Sequence, residues 1–217
     1  MRSSEGQTSS RQKRVRAGKV GLLVGLCIGG GTGLSNLAVH WASVFGPRLW
    51  QIPGVELHLL PAFGAVLFMP IAMVALLVRP LRSFAVGSLV AALVTVLLVL
   101  ASLIGGWELR ETGFEYLARD ARRLTAAIAE HHEVHGEFPR TLDSIPSEVR
   151  SGLPEFHYYV GDMARDRYHG NPWVLTLDAG TGFLNWDQFL YYPEQNYPDV
   201  GHGGWLRRVG DWAYVHE

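Results

Sequence analysis

The chain has one cysteine, Cys27, and it lies in an apolar run. That excludes a disulfide framework, a cysteine-ligated zinc and a thiol nucleophile in the polar half. Charge is the second scarcity. Residues 20–40, 58–78 and 83–104 contain no Asp, Glu, Lys or Arg. Proton relays and ion pathways need an ionisable side chain within the apolar stretch. Only His40 and His58, at the margins, approach that description, and Asn36 is the sole amide. A channel or transporter is therefore disfavoured, and the apolar runs read as an anchor. No internal repeat and no low-complexity segment appears.

Charge is also unevenly spread. Residues 1–106 hold nine Lys/Arg and two Asp/Glu, whereas residues 107–217 hold ten and eighteen. The first part is basic at its start and then almost uncharged. The second has the polar, aromatic-rich composition of an ordinary folded domain, and nothing in it indicates a nucleic-acid partner.

Each apolar run has about twenty residues, enough to cross a hydrocarbon core of about 30 Å as a helix. The sequence predicts three transmembrane helices, about 20–40, 58–78 and 83–104, within a membrane region 19–106. Residues 1–18 are expected to be a disordered basic tail, and 107–217 an α+β domain outside the membrane. The basic lead before the first run also suits a signal peptide. However, the run is longer than a signal core and no small-x-small cleavage site follows it. Lys and Arg crowd residues 2–19 and the RPLR link at 79–82, while the 41–57 loop holds only Arg48. By the positive-inside rule the N-terminus and the 79–82 link are cytoplasmic, and the 41–57 loop and the C-terminal domain are extracytoplasmic. Trp41, Trp50 and Trp107 then fall near the outer interface, where indoles prefer to sit. Compact spans and short loops suit a bacterial inner membrane.

Gly21, Gly25, Gly29 and Gly33 recur every four residues and share one helix face, a helix-packing pattern in lipid. Ser83, Gly87, Ala91 and Thr95 form a weaker copy in the third run. GGGTG at 29–33 imitates a phosphate loop, but it lacks the following Lys-Ser/Thr and has no strand before it.

Residues 108–135 predict an amphipathic helix, with Phe114, Leu117, Ala121, Leu124 and Ile128 on one face. Gly136 is its stop, Pro139 follows, and Thr141 or Asp143 would cap a short turn. Strands are expected at 156–160, 173–177, in FLNW and QFLYY between 183 and 192, at 205–209 and at 212–216. Gly210-Asp211 predicts a two-residue hairpin between the last two. One helix packed on a small antiparallel sheet buries both apolar faces.

The helix ends in HHEVHGEFP. His131 and His135 share a face, and His132 neighbours His135, so the three are candidate zinc ligands. The protease motif H-E-x-x-H is not present, because His132 occupies the glutamate position. The competing reading is structural: histidines in the last turn donate to its carbonyls and suit the helix dipole. A calcium loop around Glu194 and Asp199 matches no EF-hand spacing. Ser144, Ser147 and Ser151 lack a nucleophile-elbow context. DRYHGNPW at 166–173 reads as a turn. Tyr191, Tyr192, Tyr197, Trp205, Trp212 and Tyr214 suit either a core or a ligand-binding surface.

The stretch ARRLTAAIAEHHEVHGEFPRTLDSIP, continuing into HGNPWVLTLD, resembles the soluble head of type II secretion pseudopilins. It covers roughly half of the outer domain. The resemblance implies a pilin-like fold. Pseudopilins have one N-terminal span, behind a cleavable leader, with a glutamate early in it. Here SFAVGSLVAAL has no glutamate and follows two other spans, so the resemblance implies a head on a fixed anchor, not a fibre subunit. The expected function is a membrane-anchored, non-enzymatic binding or assembly domain. Its expected partners are the bilayer and another membrane or envelope protein. The alternative is a metal-dependent enzyme or metal-binding protein using the histidine cluster. No cofactor is expected under the first reading; zinc or calcium belongs to the second.

Overall fold

The computed structural model describes residues 3–45, 55–181, 186–198 and 204–216. Trp50, Asp199 and most of the FLNW segment fall outside them. The chain divides into two compact units: Met1–Ala38 with Pro53–Trp107, and Val39–Ile52 with Glu108–Glu217.

The first unit is helical. Helix α1 runs Ser3–Phe45. It begins well before residue 19, the start expected for the membrane region. No proline interrupts it, and its Gln, Lys and Arg residues are good helix formers. Helix α2 is Val55–His58 and α3 is Leu60–Ala75, of 16 residues. Pro61 lacks the N–H that would continue the ladder, which separates them at Leu59. A single 3-10 turn, Arg79–Leu81, leads into α4, Arg82–Asp120. Two helical stretches, Gln12–Val44 and Arg79–His135, are long and apolar enough to cross a membrane, and Leu60–Ala75 is a shorter apolar helix.

The amphipathic helix expected at 108–135 is not a separate element. Its first part completes α4, and α5 takes up Arg122–His135 after a break at Ala121. The polarity change near Trp107 does not stop the helix, because backbone hydrogen bonding is indifferent to which solvent the side chains meet.

In the second unit, α6 (Ser147–Arg150) and α7 (Asp162–Arg167) are short. Thr141 occupies the N-cap of a 3-10 turn at Leu142–Ser144 but makes no side-chain cap bond. Five strands, β1 (His157–Val160), β2 (Trp173–Asp178), β3 (Gln188–Tyr191), β4 (Trp205–Val209) and β5 (Trp212–His216), form one antiparallel sheet. Its order is β1-β2-β3-β5-β4. Val209 pairs with Trp212 across Gly210-Asp211, and the positive φ of Gly210, 61°, suits a tight hairpin.

Phe114, Leu117, Leu124 and Ile128 are buried, as the helical period predicts. Phe114 stacks on Phe189 at 4.6 Å and on Tyr214 at 5.2 Å, which seats the helix on the sheet. The sheet's other face is also covered. Val174, Leu190 and Val215 join Ala164 of α7 and Tyr192 in a second cluster, flanked by Tyr159, Tyr168, Tyr197 and Leu206. Hence Trp173 to Leu177 of β2 are buried on both faces, where the sequence implies one apolar face only.

Candidate functional site

Three constellations deserve description, two of them anticipated. The first is the glycine stripe. Gly21, Gly25, Gly29 and Gly33 of α1 all lie against α4. A Cβ on Gly21 would overlap the Gly87 backbone. On Gly25 it would stand 2.8 Å from the Ala91 carbonyl oxygen, and on Gly29 2.9 Å from the Thr95 Cα. On Gly33 it would meet the Ser102 Cβ at 3.3 Å. The two small-residue stripes read from the sequence therefore face each other. The contact index rises along both helices together, so α1 and α4 run parallel. Beyond the glycines the seam turns polar. Asn36, fully buried, donates from Nδ2 to the Ser102 carbonyl at 3.0 Å, and Ser35 Oγ meets His58 Nε2 at 2.8 Å.

The second is the histidine cluster. His131 and His135 stack face to face at 4.2 Å, and His135 Nδ1 bonds the His131 carbonyl at 3.0 Å. His132 stacks flat on Phe138 at 4.0 Å. Gly136, at φ 76°, closes the helix by donating its N–H to the His132 carbonyl. The rings are thus engaged with each other, with Phe138 and with the helix end. Among the described residues, no group of three or more His, Cys, Asp or Glu side chains is placed to hold a metal ion. In the proposed calcium loop, Asn171 Oδ1 accepts the Glu194 N–H at 3.1 Å, and Asn171 Nδ2 donates to Asn196 Oδ1 at 2.6 Å. The loop around Glu194 is organised by amides.

The third was not anticipated. Asp187, just before β3, is 1% exposed. Its Oδ2 accepts from Arg110 Nη1 at 2.8 Å and from the Tyr214 hydroxyl. Its Oδ1 faces His216 Nδ1 at 2.7 Å. Arg110 also donates to the Ala179 carbonyl, and Ala179 donates its N–H to the Asp187 carbonyl at 2.7 Å. Arg110 therefore clamps both ends of the β2–β3 connection to α4. Its guanidinium lies 4.8 Å from the Tyr214 ring centroid and 5.4 Å from that of Phe114. Burial, with the Asp187 carboxylate beside it, pushes the Tyr214 phenol well above its ordinary pKa. With both oxygens occupied and its charge offset by Arg110, Asp187 is equipped to hold structure together. His216 is a half-exposed imidazole whose Nδ1 is fixed by Asp187.

No protein-family model, no curated protein and no solved structure matches this chain.

Proposed function

We propose that the chain is a multi-pass membrane protein whose C-terminal α+β unit is a non-enzymatic, extracytoplasmic binding or assembly domain. The observation that carries the membrane part is the parallel register of α1 and α4 along the glycine stripe. Two parallel spanning helices start on the same side, so the chain between them has to cross back once. The segment Val55–Ala75, two helices with Leu59 between, supplies a rise of about 31 Å at 1.5 Å per residue. That matches a hydrocarbon core of about 30 Å. The basic residues at 2–19 and 79–82 agree with both helices starting in the cytoplasm. Large apolar side chains remain exposed on these helices, among them Leu67 at 74%, Val74 at 64% and Ile104 at 69%, as lipid contact requires.

The binding part is supported by chemistry already committed to structure. Asp187 is saturated by donors, and the histidines stack on one another and on Phe138. A pilin-like head on a fixed anchor fits a role in holding a second envelope protein.

Reporter fusions test the topology. A periplasm-dependent reporter after residue 217 should be active, and the same reporter placed in the 79–82 link should be silent. The reverse pattern overturns the orientation. Co-purification of the full chain from native membranes tests the binding role. Recovery of the chain alone after mild cross-linking counts against it.

A further inference from the structure

One face of the sheet is only partly covered by helix. Trp205 and Arg207 stand two residues apart on β4 and so share a face. Their cross-strand partners on β5 are His216 and Tyr214, which point the same way. The end of α4 packs here: Phe114 and Arg110 lie on the Tyr214 ring, which is buried. β4 is an edge strand of the sheet, and there the cover thins. Trp205 is 41% exposed, and the side chains of Arg207 and His216 are exposed to a similar degree.

Three features decide what this surface can bind. The indole is braced: Tyr214 meets it edge-on at 5.4 Å, and the His216 ring lies at 5.4 Å. A ligand therefore loses little in ordering it. The imidazole is held as well. Asp187 contacts Nδ1 at 2.7 Å, and a carboxylate has no proton to give. The proton of a neutral His216 therefore sits on Nδ1, and Nε2 presents a lone pair. The charges cancel, because Arg207 is bound to Glu111 and Arg110 to Asp187.

The surface thus offers one apolar ring rimmed by a donor, Arg207, and two acceptors, His216 Nε2 and the Glu111 carboxylate. A phosphate would meet Glu111, and an ammonium would meet Arg207. An apolar peptide would find one ring only. Leu206, between Trp205 and Arg207, points to the opposite face and packs there on the second cluster. A pyranose matches the surface: it has a face of C–H groups to lie on an indole and a rim of hydroxyls that each donate and accept.

We propose that Trp205, His216, Arg207 and Glu111 form a binding site for a neutral carbohydrate, with a sugar ring stacked on the Trp205 indole. The site goes beyond the protein partner proposed above. It does not depend on the membrane topology, because all of these residues belong to the second unit.

The test uses the full chain in phosphatidylcholine nanodiscs, free of sugar-based detergent. It is titrated by calorimetry with two neutral tetrasaccharides, one of β-1,4-linked N-acetylglucosamine and one of α-1,4-linked glucose. At least one should bind saturably, and added salt should leave its affinity unchanged. Trp205→Ala should weaken it about tenfold or more, as loss of a central aromatic contact does, and Trp205→Phe should weaken it less. Trp186→Ala removes another exposed indole of the second unit and should leave the affinity unchanged. Equal losses at Trp186 and Trp205 overturn the proposal, and so does binding of neither sugar. Capture of a protein that depends on Trp205, with neither sugar bound, overturns it in favour of a protein partner. A readout in the unaltered chain guards against a variant that fails to fold. Saturating sugar should slow oxidation of Trp205 by N-bromosuccinimide, located by peptide mass, and an unchanged rate overturns the proposal.

Discussion

Gly21 of α1 lies so close to Gly87 of α4 that no side chain fits between the two backbones. Four residues on, Gly25 stands in the same relation to Ala91, and then Gly29 to Thr95. Close approach of this kind is how helices associate in lipid, where apolar burial between them gains nothing over lipid contact.

The stripe makes a prediction with its own control. Gly21→Ala and Gly25→Leu should separate α1 from α4 and lower the thermal stability of the detergent-solubilised chain, by about 1–3 kcal/mol for an overpacked contact. Gly30 and Gly31 sit on the same helix with nothing within 4 Å of a built Cβ. Gly30→Ala and Gly31→Ala should be neutral or gain up to about 1 kcal/mol from helix propensity. Equal effects at Gly25 and Gly30, measured by thermal aggregation, would sink the packing role.

The Arg110–Asp187 pair makes a second. Asp187→Asn keeps the shape but removes the charge that a 4% exposed guanidinium faces. Breaking one side of a buried pair costs about 3–5 kcal/mol. Hydrogen exchange should then rise in β3 and β5, the strands that Asp187 ties to α4. His216→Ala removes one half-exposed partner and should cost about 1 kcal/mol. Replacing both members, Arg110→Met with Asp187→Leu, should lose less than Asp187→Asn alone. A double variant less stable than either single one would contradict the clamp.

Parts of this were legible in the sequence and parts were not, for identifiable reasons. The four-residue glycine period is local, so both stripes could be read, and only their meeting required coordinates. The β-branched and aromatic runs at 156–160, 173–177, in QFLYY, at 205–209 and at 212–216 each hold a strand, with ends shifted by a residue or so, while most of the FLNW run lies outside the described residues. Burial of β2 on both faces was not, because α7 and the Tyr192–Tyr197 segment that cover it are short and polar in outline. The Asp187 cluster was invisible for a stronger reason. Arg110 and Asp187 are 77 positions apart, and Asp187 and His216 are 29 apart. No local pattern relates them; the sheet order does.

The histidines give a third prediction. His131→Ala and His135→Ala each remove one stacked ring from a solvent-facing helix end, so stability should change by less than about 0.5 kcal/mol. Adding zinc to the full chain should leave its melting temperature unmoved. Gly136→Ala should cost more, about 1 kcal/mol, because its φ of 76° disfavours a side chain. A zinc-dependent rise in melting temperature that His131→Ala abolishes would restore the metal reading.

Tyr192 supplies the pH dependence. Its ring is fully buried and stacked on Tyr197 at 4.5 Å, and among the described residues its hydroxyl has no hydrogen-bond partner. Burial pushes its pKa from 10.0 up to about 12. Below the ordinary value both folded and unfolded chains hold the proton, and the contribution to stability is complete. Between 10.0 and about 12 the unfolded chain releases the proton while the folded chain keeps it. The folded state then binds more protons, so stability falls as pH rises and the contribution is gone above the folded value. Tyr158, Tyr168, Tyr197 and Tyr214 are raised for the same leading reason and act in the same direction. The melting temperature should therefore stay flat up to about pH 10 and decline beyond it, with the buried phenols adding to tyrosinate absorbance only as the fold is lost. Tyr192→Phe removes an unpaired hydroxyl without changing the stack. It should match or exceed wild type near neutral pH and soften the alkaline decline. At pH 10 a folded chain whose tyrosines are half ionised, as ordinary phenols of pKa 10.0 would be, would refute the buried assignment of these phenols.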